Sequence, residues 1–322
     1  MKKYLLFLAV LSLTSLLLIV GCATVEEAVD TVPEPGAEET TEPVEPAGAV
    51  IVIDQMGREV VIESVPQRII SLSPSNTEVV FALGLGDRLI GVTEYCNYPA
   101  EALEKEIVGG FATPSIEKIV ELEPDLVLAS TIHREEVPRL ETLGIPVLVV
   151  ESATLIELYT SMSLIAEVTA VTAAGEALIA SMQQRISVVE EVVSSIPVED
   201  RVRVYYEVYS DPLMSAGKEA FINEIISLAG GINIFGDINE SYPQISAEVV
   251  AERQPDIILY PDYHGTADLV SEAMAGRPGW ESVPAVVNGR VYSIADDSFA
   301  RPGPRVVEAV EEAVRLFYPQ LF

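Results

Sequence analysis

S-I-E-K-I-V-E-L-E-P-D-L-V-L-A-S-T-I-H (residues 115–133) is answered further on by S-A-E-V-V-A-E-R-Q-P-D-I-I-L-Y-P-D-Y-H (residues 246–264). Ser115, Glu117, Glu121, Pro124, Asp125, Leu128 and His133 each find a match 131 positions later, in Ser246, Glu248, Glu252, Pro255, Asp256, Leu259 and His264. Phe111 and Tyr242 precede the two copies at the same register. Each copy reads as a short helix, a Pro-Asp turn and an apolar run suited to a buried strand. Two copies this far apart predict two similar lobes, because a solenoid repeats every ~20–50 residues over several units. His133 and His264 are the chain's only histidines. Residues placed alike in two lobes can face each other across a cleft.

The chain's beginning has another character. Lys2 and Lys3 precede an apolar run from Tyr4 to Val20, and Gly21-Cys22 follows. That is the charge, length and small-residue boundary of a secretory leader. An uncleaved anchor helix is the alternative, since the run is nearly long enough to cross a bilayer. Ile19-Val20-Gly21-Cys22 resembles a lipobox, which implies cleavage before Cys22 and acylation of its thiol. Acyl chains then hold a protein at a membrane without a spanning helix. Residues 23–48 carry eight acids, four prolines and no Lys or Arg. Such a segment cannot bury enough apolar surface to fold and reads as an extended, self-repelling tether. The expected location is extracytoplasmic, on a lipid anchor in the cell membrane.

The chain has 322 residues and a hydrophobic fraction of 49%, enough for two domains with cores. Its formal charge is −31, and loss of Lys2 and Lys3 with the leader makes it −33. A polyanion of this size repels phosphate backbones, so nucleic acid is excluded as a partner. With Cys22 assigned to lipid, Cys96 stands alone and reads as a small, half-buried apolar residue.

Along the chain, Val50–Ile53 and Glu59–Ile62 flank a Gly-containing hairpin turn. Strand, capped helix and strand follow within about 25 residues up to Val92, the rhythm of an α/β unit. Tyr95-Cys96-Asn97-Tyr98-Pro99 forms an aromatic loop before the first repeat copy. Ser115 suits an N-cap, with Glu117 in the first turn where the dipole favours a carboxylate. Residues 154–195 are almost free of Gly and Pro and read as two helices broken near 170–175, the second a stiff strut about 30 Å long. Arg301-Pro302-Gly303-Pro304 leads into a terminal helix ending at Phe317, with a proline placed for its first position. The expected organisation is a leader at 1–21, a lipidated acidic tether at 22–48, an α/β lobe at 49–152, connecting helices at 153–197 and a second α/β lobe at 198–322.

R-I-I-S-L-S-P-S-N-T-E (residues 68–78), Y-C-N-Y-P (95–99), the first repeat copy, A-G-K-E-A-F-I-N-E (216–224), G-G-I-N-I-F (230–235), Y-P-Q-I-S-A-E-V-V (242–250) and R-P-G-P-R-V-V (301–307) occur in this order. Together they resemble the substrate-binding lipoproteins of ABC importers for cobalamin, haem and ferric siderophores, over roughly residues 50 to 318. The likeness is greatest to the cobalamin-binding branch. It implies two similar α/β lobes joined by one long rigid helix, a ligand cleft between them and little relative movement. It also implies a monomeric receptor without an intrinsic cofactor, delivering a cobalt corrinoid, or else haem or a ferric siderophore, to an ABC permease dimer with its ATPase subunits. One glutamate per lobe would dock into permease arginines, and these fall on Glu117 and Glu248. The corrinoid-facing aromatics fall on Tyr95 or Tyr98, Phe111 and Tyr242. Phe111 and Tyr242 stand where some members carry tryptophan, which leaves the ligand's identity open.

Plainer readings stand beside these. Glu117 and Glu248 would otherwise be first-turn acids on solvated faces, and Phe111 and Tyr242 core aromatics. Arg301 either pairs with Asp296 or Asp297 or meets a ligand carboxylate or amide in the cleft. His133 and His264 follow the C-terminal ends of buried strands, the edge where open α/β sheets bind ligands. Each precedes an expected helix whose positive end disfavours imidazolium, so each is a candidate axial ligand of a chelated cobalt or iron. The alternative is that each caps its own loop. A divalent-metal receptor would need three or four convergent ligands. A chelatase-like enzyme shares a two-lobed shape but predicts a cytoplasmic chain, and no G-x-S-x-G, P-loop, H-E-x-x-H or G-x-G-x-x-G is present. The expectation is a binding protein, not an enzyme.

Overall fold

Strands β3 (Ile69–Ser71) and β6 (Leu126–Ala129) lie side by side in parallel at the heart of the first sheet, and their side chains sort by period two. Ile69, Leu126 and Leu128 enter one apolar core, while Ile70, Val127 and Ala129 enter another on the opposite face. Runs that are apolar at every position are what a strand covered on both faces requires. The computed structural model describes residues 48–262, 273–274 and 276–322. The leader, Cys22 and the tether up to residue 47 lie outside the described residues, as does His264.

The first lobe holds α1 (Pro74–Ala82), β4 (Leu89–Val92), β5 (Glu106–Ile107), α2 (Ile116–Glu121), α3 (Val137–Thr142) and β7 (Val147–Val149). Its five strands are ordered β5-β4-β3-β6-β7 and all pair in parallel. An N-terminal hairpin, β1 (Val50–Ile53) with β2 (Glu59–Ile62), turns at Gly57, whose φ of 74° a glycine adopts without strain. In the second lobe, β8 (Arg203–Ser210), α6 (Phe221–Leu228), β10 (Ile232–Asn233), α7 (Ala247–Arg253), β11 (Ile257–Pro261) and β12 (Val291–Ile294) build a sheet ordered β10-β8-β11-β12. That order repeats β4-β3-β6-β7. A strand absent from the sequence reading, β9 (Leu213–Ser215), pairs antiparallel with β8. The sorting recurs here: Val204, Tyr206, Ile257 and Leu259 enter the first core, and Tyr205, Ile258 and Tyr260 enter a third around Trp280.

The Pro-Asp turn of each copy is closed by the same device. The Asp125 carboxylate accepts the backbone N–H groups of Gln67 (2.7 Å) and Arg68 (2.8 Å), and the Arg68 guanidinium donates back to the carbonyls of Glu123 and Leu122. Asp256 accepts from Arg203 N–H (2.8 Å), and Arg203 donates to the carbonyl of Arg253. The residue before each proline, Glu123 and Gln254, is left-handed at φ 45° and 46°, which lets the chain reverse from helix to strand.

Two helices follow the first lobe, α4 (Leu155–Val168) and α5 (Thr172–Ser194). Thr154 and Glu157 cap the first with a reciprocal pair of bonds. The 23 residues of α5 span roughly 34 Å. Near its start Gly175 passes so close to α4 that a Cβ would lie 2.6 Å from that of Ala166. Near its end Val193 packs against Gly230 in the second lobe. Met182, Ile186, Val189 and Val193 are buried along one stripe, each burial worth about 1.5–3 kcal/mol relative to exposure. The core they enter is continuous: it holds Ile69 and Leu126 of the first sheet, Val204 and Leu259 of the second, and Val307 and Val314 of the terminal helix (Val306–Phe317). That helix starts two residues beyond Pro304, so the proline precedes the helix and does not open it. No helix among the described residues is long and apolar enough to cross a membrane.

Candidate ligand cleft

The C-terminal edges of both sheets open on one cavity of about 500 Å³. This is the edge where open parallel sheets collect ligands, because strand ends there give way to loops and helix N-termini. From the first lobe come Ser73 to Asn76 after β3, Ser130 after β6 and Val150 to Ala153 after β7. Asn76 ties two of these strand ends together by donating towards the carbonyls of Ala129 (3.3 Å) and Val150 (3.5 Å). The second lobe supplies Glu219 to Phe221, Ser241, Tyr242 and Ala300 to Pro302. Ser73, Ser75, Ser130 and Ser241 bring hydroxyls to the lining beside the aromatic residues, while those of Ser152 and Ser161 are bonded to each other at 3.0 Å. The cavity therefore offers flat apolar contact with many neutral hydrogen-bonding groups.

Three expected aromatics meet in it. Tyr95, Phe111 and Tyr242 all line the cavity. Tyr95 and Tyr242 are 59% and 44% exposed, so their rings are not consumed in a core. Tyr98 is not among the lining residues and corrects the sequence expectation. Its ring lies under the guanidinium of Arg305, 4.0 Å from the ring centroid, and serves the joint between lobes.

His133 is the second correction. It is fully buried, and both ring nitrogens are engaged: Nδ1 accepts from the backbone N–H of Ser130 (3.0 Å), and Nε2 donates to the carbonyl oxygen of Phe111 (2.6 Å). The 3-10 turn Thr131–His133 folds the ring back beneath the strand end, edge-on to Phe111 with centroids 5.6 Å apart. A ring so committed cannot reach a metal in the cleft; it positions Phe111. The signal was the spacing Ser130 to His133, which forms a reciprocal cap. Cys96 is buried, its Sγ 3.2 Å from Thr77 Oγ1 and 3.3 Å from Thr93 Oγ1.

Arg301 lines the cavity and pairs with Asp297 at 2.6 Å, the plainer of the two readings weighed for it. It also donates to Asn97 Oδ1 at 2.6 Å, which ties the second lobe to the aromatic loop of the first. Behind it lies a cluster the sequence reading missed. Glu78 in α1, its side chain 3% exposed, takes Arg305 in a two-pronged pair at 2.5 and 2.9 Å and has Arg301 at 3.8 Å. Burial pushes the Glu78 carboxyl above the ordinary carboxylate value, and the hydrogen bond from Arg305 opposes that rise. A glutamate inside the otherwise neutral run Asn76 to Val80 was the available sign, since a lone acid on a buried helix face needs a partner.

Glu117 and Glu248 are exposed, outside the cavity, in the first turns of α2 and α7. The helices are capped alike: Ser115 Oγ accepts from Lys118 N–H (3.3 Å) and Ser246 Oγ from Val249 N–H (3.4 Å). A hydrogen bond from Ser246, together with the backbone, holds the Glu248 carboxyl below its ordinary value.

Known proteins resemble this arrangement over most of its length. An ABC transporter substrate-binding lipoprotein of Bacillus subtilis, YvrC, whose function is uncharacterised, is 33% identical over 279 residues, covering 85% of this chain and 87% of its own. The crystal structure of the periplasmic vitamin B12 binding protein BtuF of Vibrio cholerae superposes with a TM-score of 0.69 at 32% identity, covering 80% of this chain and 98% of that one. The periplasmic heme-binding protein RhuT of Roseiflexus sp. RS-1 superposes with a TM-score of 0.71 at 26% identity, covering 79% and 98%. The periplasmic binding protein family model matches residues 69–298, which run from the first central strand through the joining helix to the end of the second sheet. With two lobes of one topology, a strut between them and a cavity at their facing strand ends, the chain belongs to the periplasmic binding protein family.

Proposed function

We propose that this protein is the substrate-binding component of an ABC importer, held outside the cell membrane by acylated Cys22, and that its ligand is a corrinoid. The observation that carries the reading is the cavity between the lobes. Tyr95, Phe111 and Tyr242 offer faces for a flat macrocycle, and the serine hydroxyls suit the amide groups around a corrin ring. Relatives that bear the name of vitamin B12-binding proteins support it, among them one from Vibrio cholerae at 32% identity over 248 residues. In this role the protein captures ligand and hands it on without chemistry. Glu117 and Glu248, one per lobe in equivalent first turns, are the proposed contacts to the two halves of a permease dimer. His264 lies outside the described residues and stays a proposed ligand of the bound metal.

Haem is the second reading, favoured by the two phenols at the cavity, because a phenolate is an established ligand of haem iron. The test is a visible absorption titration of the purified protein with hydroxocobalamin, cyanocobalamin and haemin. Saturable binding of the cobalamins is expected. Saturable binding of haemin alone would reverse the assignment. Mass spectrometry of the membrane-extracted protein should find acylated Cys22 as the N-terminus, and an intact Met1 would remove the anchor.

A further inference from the structure

The cavity's charges do not balance. Among its described lining residues, Arg301 is the one Lys or Arg, set against the carboxylates of Glu151 and Glu219. Arg301 is already committed to Asp297, to Asn97 and, more distantly, to Glu78. Residues 263–272, outside the described residues, contain no Lys or Arg by sequence.

Glu151 stands just past β7 in the first lobe, where its Oε2 accepts the backbone N–H of Thr131 at 3.0 Å and also meets the Thr131 hydroxyl. Its Oε1 makes no hydrogen bond to a described residue. Glu219 precedes α6 in the second lobe, and its carboxylate likewise has no hydrogen-bond or ion-pair partner among the described residues. The two acids thus come from different lobes to one cavity, each with acceptor capacity in hand.

We propose that Glu151 and Glu219 are specificity-determining residues that accept N–H groups from neutral carboxamide arms on a macrocycle's rim and repel a macrocycle carrying carboxylates there. The inference rests on the corrinoid reading and says which edge chemistry the site selects. An amide N–H meeting a carboxylate makes a charge-assisted bond. Both glutamates are exposed in the open cavity, so a ligand carboxylate in the same place meets like charge and loses affinity, most at low ionic strength. Selectivity then comes from a repulsive element as much as from attraction.

The test compares cyanocobalamin with the monocarboxylic acids obtained by hydrolysing one of its carboxamides at a time, in wild type, E151Q, E219Q and the double variant, at low ionic strength. Glutamine keeps the shape and one acceptor, and urea midpoints check that the variants are folded. Wild type should bind at least one acid isomer about tenfold more weakly than cyanocobalamin, a penalty that added salt reduces. Each single variant should shrink that ratio, and the double variant should bring it near one. If every acid isomer binds wild type as tightly as cyanocobalamin, or if the ratio survives in the double variant, the inference falls while the corrinoid reading stands. If wild type binds haemin, a dicarboxylate, and no corrinoid, both fall.

Discussion

Glu78→Ala deletes the carboxylate that ties the first lobe to Arg305 and Arg301 of the second. In the native protein the pair is short and two-pronged, with Glu78 3% exposed and the two arginine side chains 15% and 16% exposed. Removing one member of a buried pair costs about 3–5 kcal/mol, since the survivor is left desolvated without a counter-charge. Here the guanidiniums keep some contact with water and Arg301 retains Asp297, so the expected loss is about 2–4 kcal/mol. Urea denaturation of the ligand-free protein at neutral pH measures it; guanidinium chloride would screen the interaction under test. The double variant Glu78→Met with Arg305→Met replaces both charges by apolar volume and should return to within about 1.5 kcal/mol of wild type. A single variant that loses less than about 1 kcal/mol, or a double variant as unstable as the single, would refute the reasoning that an uncompensated charge is the source of the loss.

His133→Ala should cost about 2–4 kcal/mol in the same assay, from the cavity and the two groups it orphans, yet leave the visible bands of a bound corrinoid in place. A lost band shift would restore His133 as a metal ligand. Ser246→Ala should raise the Glu248 carboxyl towards its ordinary value, read by carbon NMR titration of that side chain. Because the native value is depressed, the linked stabilisation is present above the ordinary carboxylate pKa and fades as pH falls through the depressed one. Charge reversal at Glu117 and Glu248 should abolish transport in reconstituted vesicles containing the cognate permease while equilibrium ligand binding by the free receptor persists; normal transport by the double reversal would remove the docking assignment.

The two-lobed α/β plan is legible in the repeated stretch because a short run apolar at every position after a Pro-Asp turn suits a buried parallel strand. The arginines that close those turns were not legible. Arg68 lies 57 residues before Asp125 and Arg203 53 before Asp256, spacings that carry no local period. Tyr95, Phe111 and Tyr242 could be picked as cleft residues because each sits in a loop at a strand or helix end. Tyr98, three residues from Tyr95, could not be told apart from it, since its fate depends on Arg305 more than two hundred positions away. The expectation for His133 fails for a local reason: repeat symmetry records where a side chain stands, and a one-turn cap decides where it points.

The unbroken apolar core beneath the cleft has a thermal consequence. Two lobes with separate sheets would ordinarily melt as two units, each with its own transition. Here Leu126 of one sheet and Leu259 of the other share a core with α5 and the terminal helix, so neither lobe can lose its packing without stripping the other. Calorimetry should record one endotherm whose calorimetric and van't Hoff enthalpies agree. Either lobe expressed alone would carry half of that seam bare to water and should aggregate, so a workable fragment must keep α5 and the terminal helix together.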